Sequence, residues 1–351
     1  MLAGIKVLSA GGNKSAACGL FLAVAVTRVD QTRGESHDQA CFRSRPLGGY
    51  RGPVYRGRAG RGPVVAHLRL GLSGNDANDC SRTAPCRTFQ GAHDKTNPDG
   101  EMTVLDPGGY GSLTITKSIS IANDGGGEAS ILVSGGATGV IVNAGAASYI
   151  NLRGITIQGI GFGGGTGLAF NRGFALTITN CVIRNHTGDG IDFQPNTSSN
   201  LALLNTLIAD NGGHGIQITN PSVSVDIRAA IDRAAIYNNS KNGLRVLDQG
   251  AGALISVADG YVANNGSAGL EITETNTGFA SLVAVRSAIS GNGTGLLASG
   301  TTASLLVGAS SITGNTMSWS AQGGANLRSY GDNYIDGNLD LNPAPPATAR
   351  K

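Results

Sequence analysis

The chain has 351 residues, of which 55 are glycine and only 5% aromatic, and it carries a formal charge of +3. Glycine at this density without a Gly-x-y period excludes collagen, and an ordinary coiled coil is excluded with it. One Trp and eight Phe cannot fill several separate cores. A stack of thin, similar layers needs only one or two Ile, Leu or Val per wall, so the composition points to a repeat.

Residues 1–70 hold 11 Lys or Arg against 3 Asp or Glu, whereas residues 71–351 hold 15 against 20. The basicity is therefore N-terminal. A mildly acidic body without a basic stripe lacks the electrostatic footprint of nucleic-acid binding, and no nucleic-acid partner is expected. Residues 16–26 (AACGLFLAVAV) form an apolar run behind Lys6 and Lys14, with a small-x-small site at Ala23 to Ala25. The run falls short of the roughly 20 residues of a bilayer span and suits a signal-peptide core, so no transmembrane segment is expected. Residues 43–63 are rich in Arg, Gly and Pro without periodicity, as in a disordered basic linker. The whole of 1–70 is expected to be a poorly structured leader or a gene-start artefact.

Residues 71–102 differ abruptly and read as an N-terminal cap. Cys80 and Cys86 lie in a loop of Asn, Asp, Ser and Pro; they form a disulfide if the protein is exported and a free pair otherwise. No Cys or His stands nearby at zinc-ligand spacing, so no metal site is expected there. Thr88 to Lys95 is long enough for two helical turns, with Phe89 turned inward as a plug on the stack. Cys181 reads as a small buried side chain.

From residue 103 to 340 short apolar strands are punctuated by glycine: Thr103 to Leu105, Leu113 to Ile115, Ile119 to Ile121, Ile131 to Val133 and Val140 to Val142. A unit then recurs as CVIRNHTGDGIDF, TLIADNGGHGIQI, AIYNNSKNGLRV, GYVANNGSAGLEI and AISGNGTGLLA. Gly190, Gly215, Gly243, Gly269 and Gly295 mark it, and Asn185, Asn211, Asn239, Asn265 and Asn292 keep nearly the same step. Units of 21 to 28 residues without intervening amphipathic helices exclude a βαβ sheet and predict one solenoid coil per unit, eight to ten in all. The recurring Asn is expected at a bend, bonding to its neighbours in a ladder, and each Gly at a corner needing positive φ or close packing. SITGNTMSW and NYIDGN drift from the pattern as eroded terminal coils would, and residues 341–351 read as a disordered tail.

This body resembles the right-handed parallel β-helix superfamily that includes pectate lyases and polygalacturonases. The opening NDCSRTAPCRTFQGAH, followed by VLDPGGYGSLTITKSISI, is similar to a set of bacterial exported β-helix proteins without an assigned activity. The resemblance implies an all-β, right-handed, single-stranded parallel β-helix with a short N-terminal capping helix. It also implies an extracellular or periplasmic location and a structural or carbohydrate-binding role, with polysaccharide as the expected partner and a monomer as the expected state.

Two outward ladders follow from the unit spacing. One runs Asp189, His214, Asn242, Ala268, Thr294 and the other Asp192, Gln217, Arg245, Glu271, Leu297. Together they predict a patch of Asp189, Asp192, His214 and Arg245, in which paired carboxylates, an imidazole and a cation would suit acid–base chemistry on an acidic sugar. The alternative function is therefore a polysaccharide lyase or glycoside hydrolase with these four as catalytic residues. Gly188 to Asp192 and Gly213-His214-Gly215 are similar to polygalacturonase strings, but the intervening Asp-Asp pair and the Arg-x-Lys of that family are missing. No cofactor is expected, except calcium under the lyase alternative, where the resemblance implies it.

Overall fold

Strands in this chain are short because a left-handed residue or a glycine turns the backbone after three to seven alternating positions, as in Val182–Arg184 and Asp226–Asp232. The computed structural model describes residues 65–68, 74–159, 163–276 and 278–350. The signal-peptide-like run 16–26 and the basic stretch 43–63 lie outside the described residues. Among the described residues, successive strands fall into three sheets of eleven, ten and nine members. In one representative coil these strands are Ser199–Leu204, Leu207–Ala209 and Ile216–Asn220. Each pairs in parallel with its equivalent in the next coil. Every complete coil gives one strand to each sheet, so the nine-stranded sheet counts the coils, within the expected range.

Parallel pairing in register puts like residues on top of one another. Ile183, Ile208, Ile236, Val262, Ile289 and Ile312 form one inward column in the ten-stranded sheet, each fully buried. Each such side chain contributes about 1.5–3 kcal/mol relative to exposure. The column needs no aromatic residue, which accounts for the composition.

The predicted ladder is present, with one correction. Asn211, Asn239, Asn265, Asn292, Asn315 and Asn338 are all buried at the bend between the ten- and nine-stranded sheets. Each Nδ2 donates to the next Oδ1, at 2.9 Å from Asn211 to Asn239 and from Asn239 to Asn265. The same Oδ1 accepts the backbone N–H of the preceding Asn, and the second Nδ2 hydrogen meets a carbonyl such as Ile236 O at 3.2 Å. The ladder thus runs through the two units expected to be eroded, ending at Asn338. Asn185 is not its first member. It is the left-handed turn residue, φ 60°, and His186 takes the ladder position, with its N–H bonded to Asn211 Oδ1 and Nε2 donating to Ile157 O.

The glycine series serves close packing rather than positive φ. A Cβ at Gly215 would lie 2.7 Å from Gly243 O and 2.8 Å from Asn239 Nδ2, and at Gly243 it would lie 2.8 Å from Asn265 Nδ2. The bare glycine admits the amide of the following coil.

The two ends are covered. The strand Val65–Leu68 pairs with Gly100–Val104, so part of the expected leader opens the eleven-stranded sheet. Its alternation is too brief to stand out from the surrounding basic sequence. The helix Phe89–Lys95 starts at the N-cap Thr88, whose Oγ1 accepts the Gly91 N–H, and Phe89 is buried against Tyr110. Its side chains supply acceptors to the exposed edge of Leu113–Ile115: Gln90 Oε1 for the Thr114 N–H and His93 Nε2 for that of Thr116. This satisfies a strand edge that would otherwise invite pairing. Cys80 and Cys86 form a disulfide in the preceding loop, and Cys181 is buried, its thiol pushed up to about 11 by burial. Residues 341–350, read from composition as a disordered tail, instead run back along the last coil. Ser329 exchanges backbone bonds with Pro346 and Thr348, and Trp319 Nε1 donates to Pro343 O.

Asn265→Ala would remove the acceptor shared by the Asn239 backbone N–H and Nδ2, and one donor each from Asn292 Oδ1 and Ile236 O; a buried group left unpaired costs about 1–3 kcal/mol. It is expected to lower the unfolding midpoint by several degrees, as is Gly243→Ala through overpacking of about 1–3 kcal/mol. Thermal unfolding followed by circular dichroism tests both; a variant melting with the parent would refute the ladder's role.

Candidate functional site

The two ladders exist in the register expected of them, but the first is not outward: His214, Asn242 and Ala268 are buried. Asp192 lies beside Gln217, then Arg245, Glu271 and Leu297 along the nine-stranded sheet. Asp189, His214 and Asn242 occupy the corner that leads into these strands. Asp189 Oδ1 accepts the His214 backbone N–H at 2.6 Å, His214 Nδ1 accepts that of Asn242 at 3.3 Å, and Asn242 Oδ1 accepts that of Ala268 at 3.0 Å. Each side chain therefore satisfies a backbone donor one coil away.

His214 is 7% exposed, and burial holds its imidazole below the ordinary range against the pull of Asp189. The neutral ring is what the acceptor role of Nδ1 requires. Arg245 is engaged too: its Nε lies 3.4 Å from Glu271 Oε1, which also accepts the Thr273 hydroxyl at 2.8 Å, while Asn242 Nδ2 donates to Glu271 Oε2. Of the four expected site residues, only Asp192 has no such bond. Its Oδ1 is buried without a partner, and burial, helped by the nearby Asp189, pushes its carboxyl up to about 6.

The calcium implied by a lyase does not fit this corner. Asp189 has one oxygen committed to His214, Asp192 stands alone, and among the described residues no three His, Cys, Asp or Glu side chains are grouped to hold a metal. Aromatic support is lacking as well, since Phe193 faces inward and stacks on Phe170 at 4.5 Å.

A different surface offers what this corner lacks. On the outer face of the eleven-stranded sheet, Gly252 sits in register between Asp226 and Phe279, and Arg228 and Leu254 form the neighbouring column. The missing side chain at Gly252 leaves a notch of about 190 Å³ lined by these residues. Phe279 is 55% exposed and Leu254 45%. Further along the same strand starts, Tyr149 and Phe174 form an exposed ring pair with centroids 5.1 Å apart. Five rungs separate Tyr149 from Phe279, about 24 Å along the axis. The corner glycines do not mark these residues; their sequence signal is an aromatic at or just before the start of three strands of one sheet.

Residues 113–279 match the family model described as a right handed beta helix region. Among solved structures, the pectate lyase Pel9A superposes with a TM-score of 0.63 and 16% identity, over 82% of this chain and 80% of that one. The fold is a right-handed parallel β-helix. The A-module of the Azotobacter vinelandii mannuronan C-5 epimerase AlgE4 is a more distant likeness, with a TM-score of 0.38 and 14% identity over 72% of this chain and 89% of that one. No curated protein matches the chain at a significant level. Among the described residues no helix of this β-helix is long and apolar enough to cross a membrane.

The environment of Asp192 gives a pH signature. A carboxyl whose folded pKa of about 6 exceeds its unfolded value near 3.9 favours folding at low pH and loses that contribution as pH rises through 6. Asp192→Asn is therefore expected to raise the melting temperature at pH 7.5 and to leave it unchanged at pH 4. Paired unfolding curves at the two pH values check this; an equal shift at both would contradict the assigned environment.

Proposed function

We propose that this protein is an exported carbohydrate-binding β-helix that holds a polysaccharide along the outer face of its eleven-stranded sheet. The observation that carries the reading is the notch at Gly252, where an exposed aromatic ring, an aliphatic side chain, a carboxylate and a guanidinium surround a space open to solvent. A sugar ring presents an apolar face and a hydroxyl edge. Phe279 and Leu254 suit the first, Asp226 and Arg228 the second, and few, convergent polar groups among apolar walls are the general mark of a ligand site. The likeness to a pectate lyase supports a sugar polymer as the ligand class. The disulfide-bonded cap suits an oxidising compartment, which supports export and a location outside the cytoplasm.

A catalytic reading has one observation in its favour. Asp192 has a carboxyl near 6 beside Asp189, as a general acid paired with a carboxylate would. The binding reading is preferred because Asp189, His214 and Arg245 are each committed to a partner in the ladders.

Purified protein titrated with plant, algal and bacterial polysaccharides should bind an acidic polymer without turning it over. Phe279→Ala should weaken binding about tenfold or more. A Cβ at Gly252 meets nothing closer than 3.4 Å, so Gly252→Ala is tolerated by its surroundings and should narrow the notch and weaken binding. Binding unchanged in both variants would refute the proposal. Turnover lost in Asp192→Asn and His214→Ala but kept in Glu271→Gln would establish the catalytic reading instead.

A further inference from the structure

The loops leading from the nine-stranded to the eleven-stranded sheet are anchored by a second column of buried polar side chains. Asn220, Asp248 and Glu274 hold the same register position on three successive coils and are 0%, 0% and 5% exposed. Asn220 Nδ2 donates to Val225 O at 2.7 Å, Asp248 Oδ1 at 2.9 Å and Gly252 O at 3.1 Å, which fixes the orientation of the amide. Asp248 Oδ1 also accepts the Gly250 N–H at 3.0 Å, and Glu274 Oε2 accepts that of Thr302 at 3.4 Å. One oxygen on each residue remains buried without a partner: Asn220 Oδ1, Asp248 Oδ2 and Glu274 Oε1.

The negative charge of the column has no counterpart. The ionisable groups acting on Asp248 are Glu274 and Asp226, both acidic, and among the described residues neither Asp248 nor Glu274 forms an ion pair with Lys or Arg. Glycine also faces the first two members from the following coil. A Cβ would lie 2.4 Å from Asn220 Oδ1 at Gly250 and 2.7 Å from Asp248 Oδ2 at Gly278, and closer still to the backbone carbonyls Ser222 O and Gly250 O, at 2.3 and 2.2 Å. The bare glycines bring these carbonyls and the two side-chain oxygens close to the following coil.

Burying carboxylates without a compensating charge costs several kcal/mol per ion. Partnerless carboxylate and amide oxygens close to backbone carbonyls are the donor set of a hard divalent cation, which takes all three oxygen types. We propose that the Asp248–Glu274 step of this column binds a divalent cation of the calcium class through Asp248 Oδ2 and Glu274 Oε1. The cation neutralises the stacked carboxylates and secures the loop through Gly250 and Gly252. This site is separate from the Asp189 corner, and none of the column's three side chains lines the Gly252 notch.

The full chain, stripped with a chelator, is titrated with calcium chloride by calorimetry and with terbium by luminescence. Two carboxylates should give saturable binding with a Kd on the order of 0.1–1 mM, the range of weak calcium modules. Calcium should raise the melting temperature of the parent protein. Glu274→Gln and Asp248→Asn should each weaken binding tenfold or more, while Asp192→Asn, on the other acidic corner, should bind as the parent does. If Asp248→Asn fails to fold, Glu274→Gln decides, because Glu274 Oε1 has no protein partner to lose. The proposal is overturned by the absence of saturable binding up to about 10 mM cation. It is equally overturned if binding survives in Glu274→Gln, or is lost in Asp192→Asn.

Discussion

The spacing between coils governs this molecule. At about 4.8 Å per rung, the nearest neighbour of any side chain is the equivalent side chain of the adjacent coil, so a buried residue must be compatible with a copy of itself. Isoleucine meets this condition by shape. Asparagine meets it by chemistry, because one amide carries both donor and acceptor and the stack from Asn211 to Asn338 closes without an unmatched group along its length. Aspartate and glutamate fail it, since ionised carboxylates only accept. Asp248 above Glu274 is the place where a buried column breaks the rule, and partnerless oxygens collect there.

The same requirement decides which polar residues are free for work. A residue held by its copy one coil away has its hydrogen-bonding capacity consumed, and this is the condition of Asp189 and His214 even though both lie near the surface. Their backbone acceptor roles explain their chemistry better than catalysis does. Recognition is better placed where the register is interrupted. At Gly252 a side chain is skipped between Asp226 and Phe279, and the regular wall acquires a shape.

Most of the architecture could be read from the step between glycines, because each marks the point where the next coil's amide must enter. The one-residue error at Asn185 has a physical origin. The left-handed turn residue and the ladder residue are adjacent and both favour asparagine, as in Asn238-Asn239 and Asn264-Asn265; at 185 the turn keeps its Asn while His186 takes the ladder position. The first strand, Val65–Leu68, was hidden by basic flanking sequence, and the C-terminal segment by its Pro and Ala content, which says nothing of backbone bonds to Ser329. The notch was illegible for a different reason. It depends on lateral register between three coils of unequal length, and no single segment contains it.

In the asparagine ladder the Nδ2 of each residue from Asn211 to Asn315 donates to the Oδ1 of the next coil, and never the reverse. The amide dipoles are therefore aligned head to tail along the solenoid axis, as peptide dipoles are along an α-helix. Such a chain polarises itself and strengthens as it lengthens. It should leave a partial negative charge at the His186 backbone N–H and a partial positive one at Asn338, giving a protein built from strands an axial polarity usually associated with helices.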